Sequence, residues 1–120
     1  MRKFQYVIIL FVSLMVCDGA EAQQQPAGAS FFGQCMLNIE SDDEIRQLEN
    51  EMRQNPYLKV VRLDTHTKRA FVLTKELNSL NEEDFASWFS QYAESLYCIQ
   101  IGRYGVDQIK PFPFQDCTNN

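Results

Sequence analysis

The chain has 120 residues, 45% hydrophobic and 22% charged, which is enough for one domain and too little for two. Sixteen acidic against eleven basic side chains give a net charge of -5, which excludes the electrostatic footprint of a protein that wraps nucleic acid or coats an anionic membrane. Four cysteines make the redox compartment the next question, and the start of the chain bears on it.

Residues 1–22 read as a secretory signal. Arg2 and Lys3 precede an apolar run from Val7 to Val16, and Ala20-Glu21-Ala22 puts small residues where a signal peptidase reads them, so cleavage is expected before Gln23. The run is about half of the roughly 20 residues that a helix needs to cross ~30 Å of hydrocarbon, so no transmembrane segment is expected after cleavage. A second reading takes Leu14-Met15-Val16-Cys17 as a lipoprotein box that leaves Cys17 lipidated, although Val16 is bulky where such boxes have a small residue. The Ala22-Gln23 junction resembles exported proteins of the Bacteroidota, and the chain has no Asn-x-Ser/Thr sequon. A bacterial periplasmic or extracellular location follows. Cleavage removes two basic and two acidic residues, so the mature 98 residues keep the charge of -5 and three cysteines, Cys35, Cys98 and Cys117.

Residues 23–30 (QQQPAGAS) are polar, with Pro26 and Gly28, and read as a flexible leader ahead of a domain over 31–102. From Cys35 to Glu40 apolar residues alternate, which predicts a half-buried strand. Ser41-Asp42-Asp43-Glu44 is a capping box, and Ile45, Leu48 and Met52 mark the buried stripe of the helix it starts, which Asn55-Pro56 stops. Tyr57–Leu63 and Ala70–Leu73 are rich in Val and Leu, and the polar stretch Asp64–Lys68 between them has hairpin length. Asn81-Glu82-Glu83-Asp84 opens a second helix whose apolar face is Phe85, Trp88, Phe89, Tyr92 and Leu96. A last strand runs from about Tyr97 to Ile101, with Ile99 and Ile101 on one side and Cys98 and Gln100 on the other. Residues 103–120 form an aromatic C-terminal tail.

Strand, helix, strand, strand, helix, strand is the order of a ferredoxin-like split βαβ sandwich: an α+β fold with a four-stranded antiparallel sheet and both helices on one face. In element order and lengths, Cys35 to Ile101 resembles the heavy-metal-associated domains of copper chaperones and metal ATPases. The nearest likeness is Asn55-Pro56-Tyr57-Leu58-Lys59-Val60-Val61-Arg62-Leu63-Asp64, at the place of that family's link into its second strand. The family binds Cu(I) through Cys-x-x-Cys in the loop after the first strand. The equivalent loop here, Glu40-Ser41-Asp42-Asp43, has no cysteine, methionine or histidine, so the resemblance implies a fold and transfers no metal ligand.

Glu40, Asp42, Asp43 and Glu44, and again Glu82, Glu83 and Asp84, are of the type that binds hard cations. Both groups fall at helix starts, where the dipole favours carboxylates by ~0.3–1 kcal/mol each, and the topology keeps them at opposite ends of the sheet. His66, the only histidine, reads as a turn residue with no nucleophile signature beside it. Lys59, Arg62, Lys68 and Arg69 cluster on the hairpin and suit an acidic partner, or else form a solvated face. Gly102-Arg103-Tyr104-Gly105 is too short to be a phosphate loop.

The tail holds Tyr104, Val106, Ile109, Phe112 and Phe114, with Pro111 and Pro113 expected to keep Pro-Phe-Pro-Phe extended. It either straps the sheet face that the helices leave open or stands out as a docking segment. Cys35 and Cys98, expected at opposite ends and on opposite faces of neighbouring strands, do not meet the ~7 Å Cα limit for a disulfide. Cys98 faces the open side, where a returning tail brings Cys117, so a Cys98–Cys117 bond is expected, with Cys35 a core thiol. The functional expectation is an exported, non-enzymatic binding or assembly module with a protein partner in the envelope and no cofactor. Its candidate contacts are Tyr104, Phe112, Phe114, Lys59 and Arg62. The alternative is a divergent heavy-metal-associated domain that handles metal or thiol chemistry through rearranged cysteines. A homodimer is left open.

Overall fold

The computed structural model describes residues 28–115 and Cys117. The signal segment, the lipoprotein box at Cys17 and residues 23–27 of the leader lie outside them. Of the leader, Gly28–Ser30 are described, and they are tied down: the backbones of Ala29 and Leu77 exchange two hydrogen bonds, at 2.8 and 2.9 Å.

Strand β1 (Phe31–Leu37) starts four residues ahead of the expected Cys35 and ends before Asn38. Six of its seven residues are buried, so both faces are covered and its first half has no polar alternation to betray it. Helix α1 (Asp42–Arg53) starts as its capping box requires, the Glu44 backbone N–H donating to Ser41 Oγ at 3.3 Å. Its stripe of Ile45, Leu48 and Met52 is at most 2% exposed.

Strands β2 (Leu58–Leu63) and β3 (Arg69–Thr74) form the expected hairpin. At its tip the Asp64 carboxylate accepts from the His66 backbone N–H and the Thr67 hydroxyl, each at 2.9 Å, and Lys68 closes the turn at a φ of 64°. β2 is an edge strand, and Glu49 of α1 blunts it by accepting from the Leu63 backbone N–H at 2.7 Å.

Helix α2 (Glu82–Ser87) is capped by Asn81, whose side chain accepts from the Asp84 N–H at 2.7 Å. The long aromatic helix expected here does not form. Ser90 takes a φ of 55°, which no α-helix continues through, and a 3-10 helix over Ser90–Ser95 leads into strand β4 (Leu96–Arg103). Phe85 and Phe89 are wholly buried all the same, while Trp88, Tyr92 and Leu96 pack at the margin of the core. Helical spacing thus identified the buried side chains but not the break in the backbone between them.

The four strands pair antiparallel in the order β2-β3-β1-β4. Cys98 interrupts β4 with a φ of 57°, and the register slips there: Gln34 faces Gln100, whereas Met36 faces Tyr97. The bulge puts Leu96, Ile99 and Ile101 on the core side despite their uneven spacing. The core joins Cys35, Leu37, Val61, Leu63, Ala70 and Val72 of the sheet to the stripes of both helices. Gly33 leaves room for the Phe85 ring of α2, because a Cβ there would overlap it. Gly33→Ala should therefore lower the unfolding free energy by about 1–3 kcal/mol through overpacking. Urea denaturation reads this, and an unchanged midpoint would show that Phe85 does not lie against β1.

Candidate functional site

Strand alternation leaves a second face of the sheet, turned away from the helices, with Phe32, Gln34 and Met36 on β1, Arg69 and Phe71 on β3, Arg62 on β2, and Tyr97 and Gln100 on β4. Gln34 is wholly buried there. A buried amide must find partners for its donors and its carbonyl. The Gln34 Nε2 group donates to Gln100 Oε1 at 2.7 Å and to the Lys110 carbonyl at 3.0 Å, and its Oε1 accepts from Arg69 Nη2 at 2.7 Å.

Gln100 continues the network into the tail. It donates to the Gln108 carbonyl at 2.9 Å and accepts from the Lys110 backbone N–H at 3.0 Å. Two glutamine side chains therefore hold residues 108–110 by their backbone groups, much as a neighbouring strand would. The tail is a strap, and of the two alternatives open in the sequence the docked one describes it. Residues 112 and 113 form a bend, with a cis Phe112–Pro113 peptide, in place of the expected extended run. Phe114 then packs edge-on against Phe112, ring centroids 5.7 Å apart.

Cys98 and Cys117 close the strap at disulfide distance, with Cα atoms 5.6 Å apart and 19 residues of separation. A loop of that length corresponds to about 3 kcal/mol of denatured-state entropy. Cys35 is a free, buried thiol on the core side of β1. It does not sit at the opposite end of the pairing from Cys98, as expected. Because β1 starts at Phe31, Cys35 lies near its middle, level with the bulge. What separates the two cysteines is the face of the sheet, not the length of the strand.

The strap covers β1 and β4 and leaves the β2–β3 half of the face open. There a trough of about 810 Å³ is lined by Val60, Arg62, Arg69, Phe71, Ile109 and Phe112, among others. The Arg69 guanidinium lies between two rings, 5.6 Å from the Phe71 centroid and 5.9 Å from that of Phe112. Its Nε is buried without a hydrogen-bond acceptor among the described residues. A smaller cavity of about 370 Å³ lies under the strap between Gln100, Phe114 and the disulfide.

Of the residues expected to meet a partner, Arg62 and Phe112 line the same trough. Phe114 turns to the strap's underside with Met36 and Tyr97. Lys59 is exposed at a register shift of β2, and Tyr104, 52% exposed, stands on the turn after β4; neither lines the trough. Lys68 leaves the basic cluster to pair with Asp42 at 3.2 Å. Asp42, Asp43 and Glu44 occupy the first turn of α1, and Glu82, Glu83 and Asp84 that of α2, with Asp43 paired to Arg46. Sequence reading missed the Gln34–Gln100–Arg69 network, since a glutamine in a strand gives no sign of whether it meets water or a buried partner. The alternation that put Gln100 beside Cys98 on the open side was the one usable signal.

Among the described residues no three of His, Cys, Asp and Glu gather as a metal site, and no helix is long and apolar enough to cross a membrane. No family model matches the chain, and no curated protein or solved structure is significantly similar to it. The fold and the face together define an α+β protein with a four-stranded antiparallel sheet, one side closed by helices and the other half-closed by its own disulfide-fastened tail.

Two titrations follow from burial and hydrogen bonding. The Asp64 carboxyl is held below its usual range, first by the His66 backbone N–H and then by the Thr67 hydroxyl. Burial pushes the Cys35 thiol up to about 12 from an ordinary value of 9.0. The folded state thus keeps Cys35 protonated where the unfolded chain ionises, so the unfolded chain binds fewer protons above pH 9 and stability falls from there towards pH 12. In urea titrations between pH 8 and 10.5, Cys35→Ala should lose stability less steeply than the natural chain. Parallel slopes would place the thiol in contact with water.

Proposed function

We propose that this chain is an exported, non-enzymatic binding or assembly module of a bacterial cell envelope, built on a ferredoxin-like split βαβ sandwich. The strand order β2-β3-β1-β4, antiparallel throughout, supports that fold. A disulfide between Cys98 and Cys117 suits an oxidising compartment and so supports the secretory reading of residues 1–22.

The observation that carries the proposal is the open sheet face. A sheet that needed only a core would present a plain polar surface on its far side. This one has a buried amide network, a strap and a trough with a guanidinium between two aromatic rings. Tyr, Trp, Phe and Arg are enriched in protein interfaces, and Arg62 and Phe112, both exposed, line this trough.

The metal or thiol alternative needs its cysteines within reach of one another. Cys98 and Cys117 are spent on each other, and Cys35 is buried on the opposite side of the sheet. A photo-crosslinking residue introduced at Arg62 or Phe112 in the exporting cell should yield a discrete adduct, while the same residue at Glu51, on the solvent side of α1, should yield none. Adducts from Glu51 alone, or from no position, would count against a binding module that uses this face.

A further inference from the structure

Resting on that reading, we propose that the trough between β2, β3 and the strap binds an extended acidic segment of a partner protein. One carboxylate of the segment meets Arg62 and Arg69, and an adjacent apolar side chain lies on Phe71 and Ile109.

Charge selects the class of ligand. The chain as a whole is acidic, at -5, with acids at both helix starts, yet the trough is lined by three arginines, Arg53, Arg62 and Arg69, against two carboxylates, Glu49 and Asp64. Glu49 at the rim is paired with Arg53 at 3.2 Å and also accepts from the Leu63 N–H. Asp64, at the end of the trough, accepts from the His66 backbone N–H and the Thr67 hydroxyl of the hairpin tip. Arg62 and Arg69 have no carboxylate partner among the described residues. Arg69 also keeps a buried Nε without an acceptor, and a buried donor in that state is stabilised by any carboxylate oxygen that reaches it.

Shape selects a peptide over a small molecule. A small ligand gains its affinity from a pocket that encloses most of its surface. This trough is more open than enclosed, while its length of sheet and strap suits a chain that lays side chains into it in turn. Adding a strand at the β2 edge is blocked where Glu49 has taken the Leu63 N–H, so the segment lies on the face and not along the edge.

The test is an ¹⁵N NMR titration of the mature, disulfide-intact chain with an end-blocked heptapeptide of alternating Glu and Phe, beside a counterpart with Gln for every Glu. The acidic peptide should shift the amides of residues 60–62 and 69–71 and bind at least about fivefold more tightly than the Gln peptide, about 1 kcal/mol. Arg62→Glu should weaken it by a similar factor, and Lys59→Glu, an equal charge change outside the trough, should leave it unchanged. Equal binding of the two peptides, shifts centred elsewhere, no binding, or equal loss in both variants would overturn the proposal. A crosslinked partner from Phe112 combined with any of those results would leave the binding-module reading standing and remove only the acidic segment.

Discussion

A primary amide buried in a sheet brings two N–H donors and a carbonyl that water cannot reach, and each left unmade costs ~1–3 kcal/mol. Gln34 is such a group, in one of the two inner strands of the sheet, and its needs tie together β3, β4 and the strap on that face. One donor goes to Gln100 on β4, one to the Lys110 carbonyl, and the carbonyl takes Arg69 of β3. The strap is therefore not merely tethered at Cys117. Its backbone completes a polar network that the sheet would otherwise leave unsatisfied, and the disulfide keeps it close enough to do so.

The two faces divide the work. On one, apolar stripes from both helices close over β1 and β3, with Gly33 giving Phe85 its place and Cys35 held as a thiol by desolvation. On the other, polar groups are satisfied internally and the strap stops halfway, so aromatic and guanidinium groups meet solvent at its margin. A strap across the whole sheet would bury Arg62 and Phe71 beside an already charged Arg69, at a desolvation cost that no carboxylate of the described chain offsets. Stopping at Ile109 and Phe112 leaves an open trough whose lining side chains are positioned by the sheet.

Much of the architecture was legible in the residues, and the failures share a cause. The helix starts at Ser41 and Asn81, the stripe of Ile45, Leu48 and Met52, and the Asp64–Lys68 hairpin depend on neighbours in sequence, and each is found where the pattern puts it. The start of β1 was missed because Phe31 to Cys35 are buried on both faces, which erases alternation. The break at Ser90 and the bulge at Cys98 are backbone choices made by tertiary packing, and neither residue type announces a positive φ. The basic cluster dispersed for a similar reason: Lys68 and Arg69 are adjacent in sequence but point to opposite sides of the sheet, one to Asp42 and the other to Gln34. The pairing of Gln34 with Gln100 depends on register across 66 residues, which no local pattern contains.

The strap's hold on the sheet is read most directly by amide hydrogen exchange at Lys110, whose N–H donates to Gln100 Oε1. In the natural chain this amide should exchange at least about 100-fold more slowly than in a free peptide, and Gln100→Ala should abolish that protection while the β3 amides keep theirs. Exchange at the free-peptide rate in the natural chain would mean that the disulfide alone holds the tail and that the glutamine network does not exist in solution.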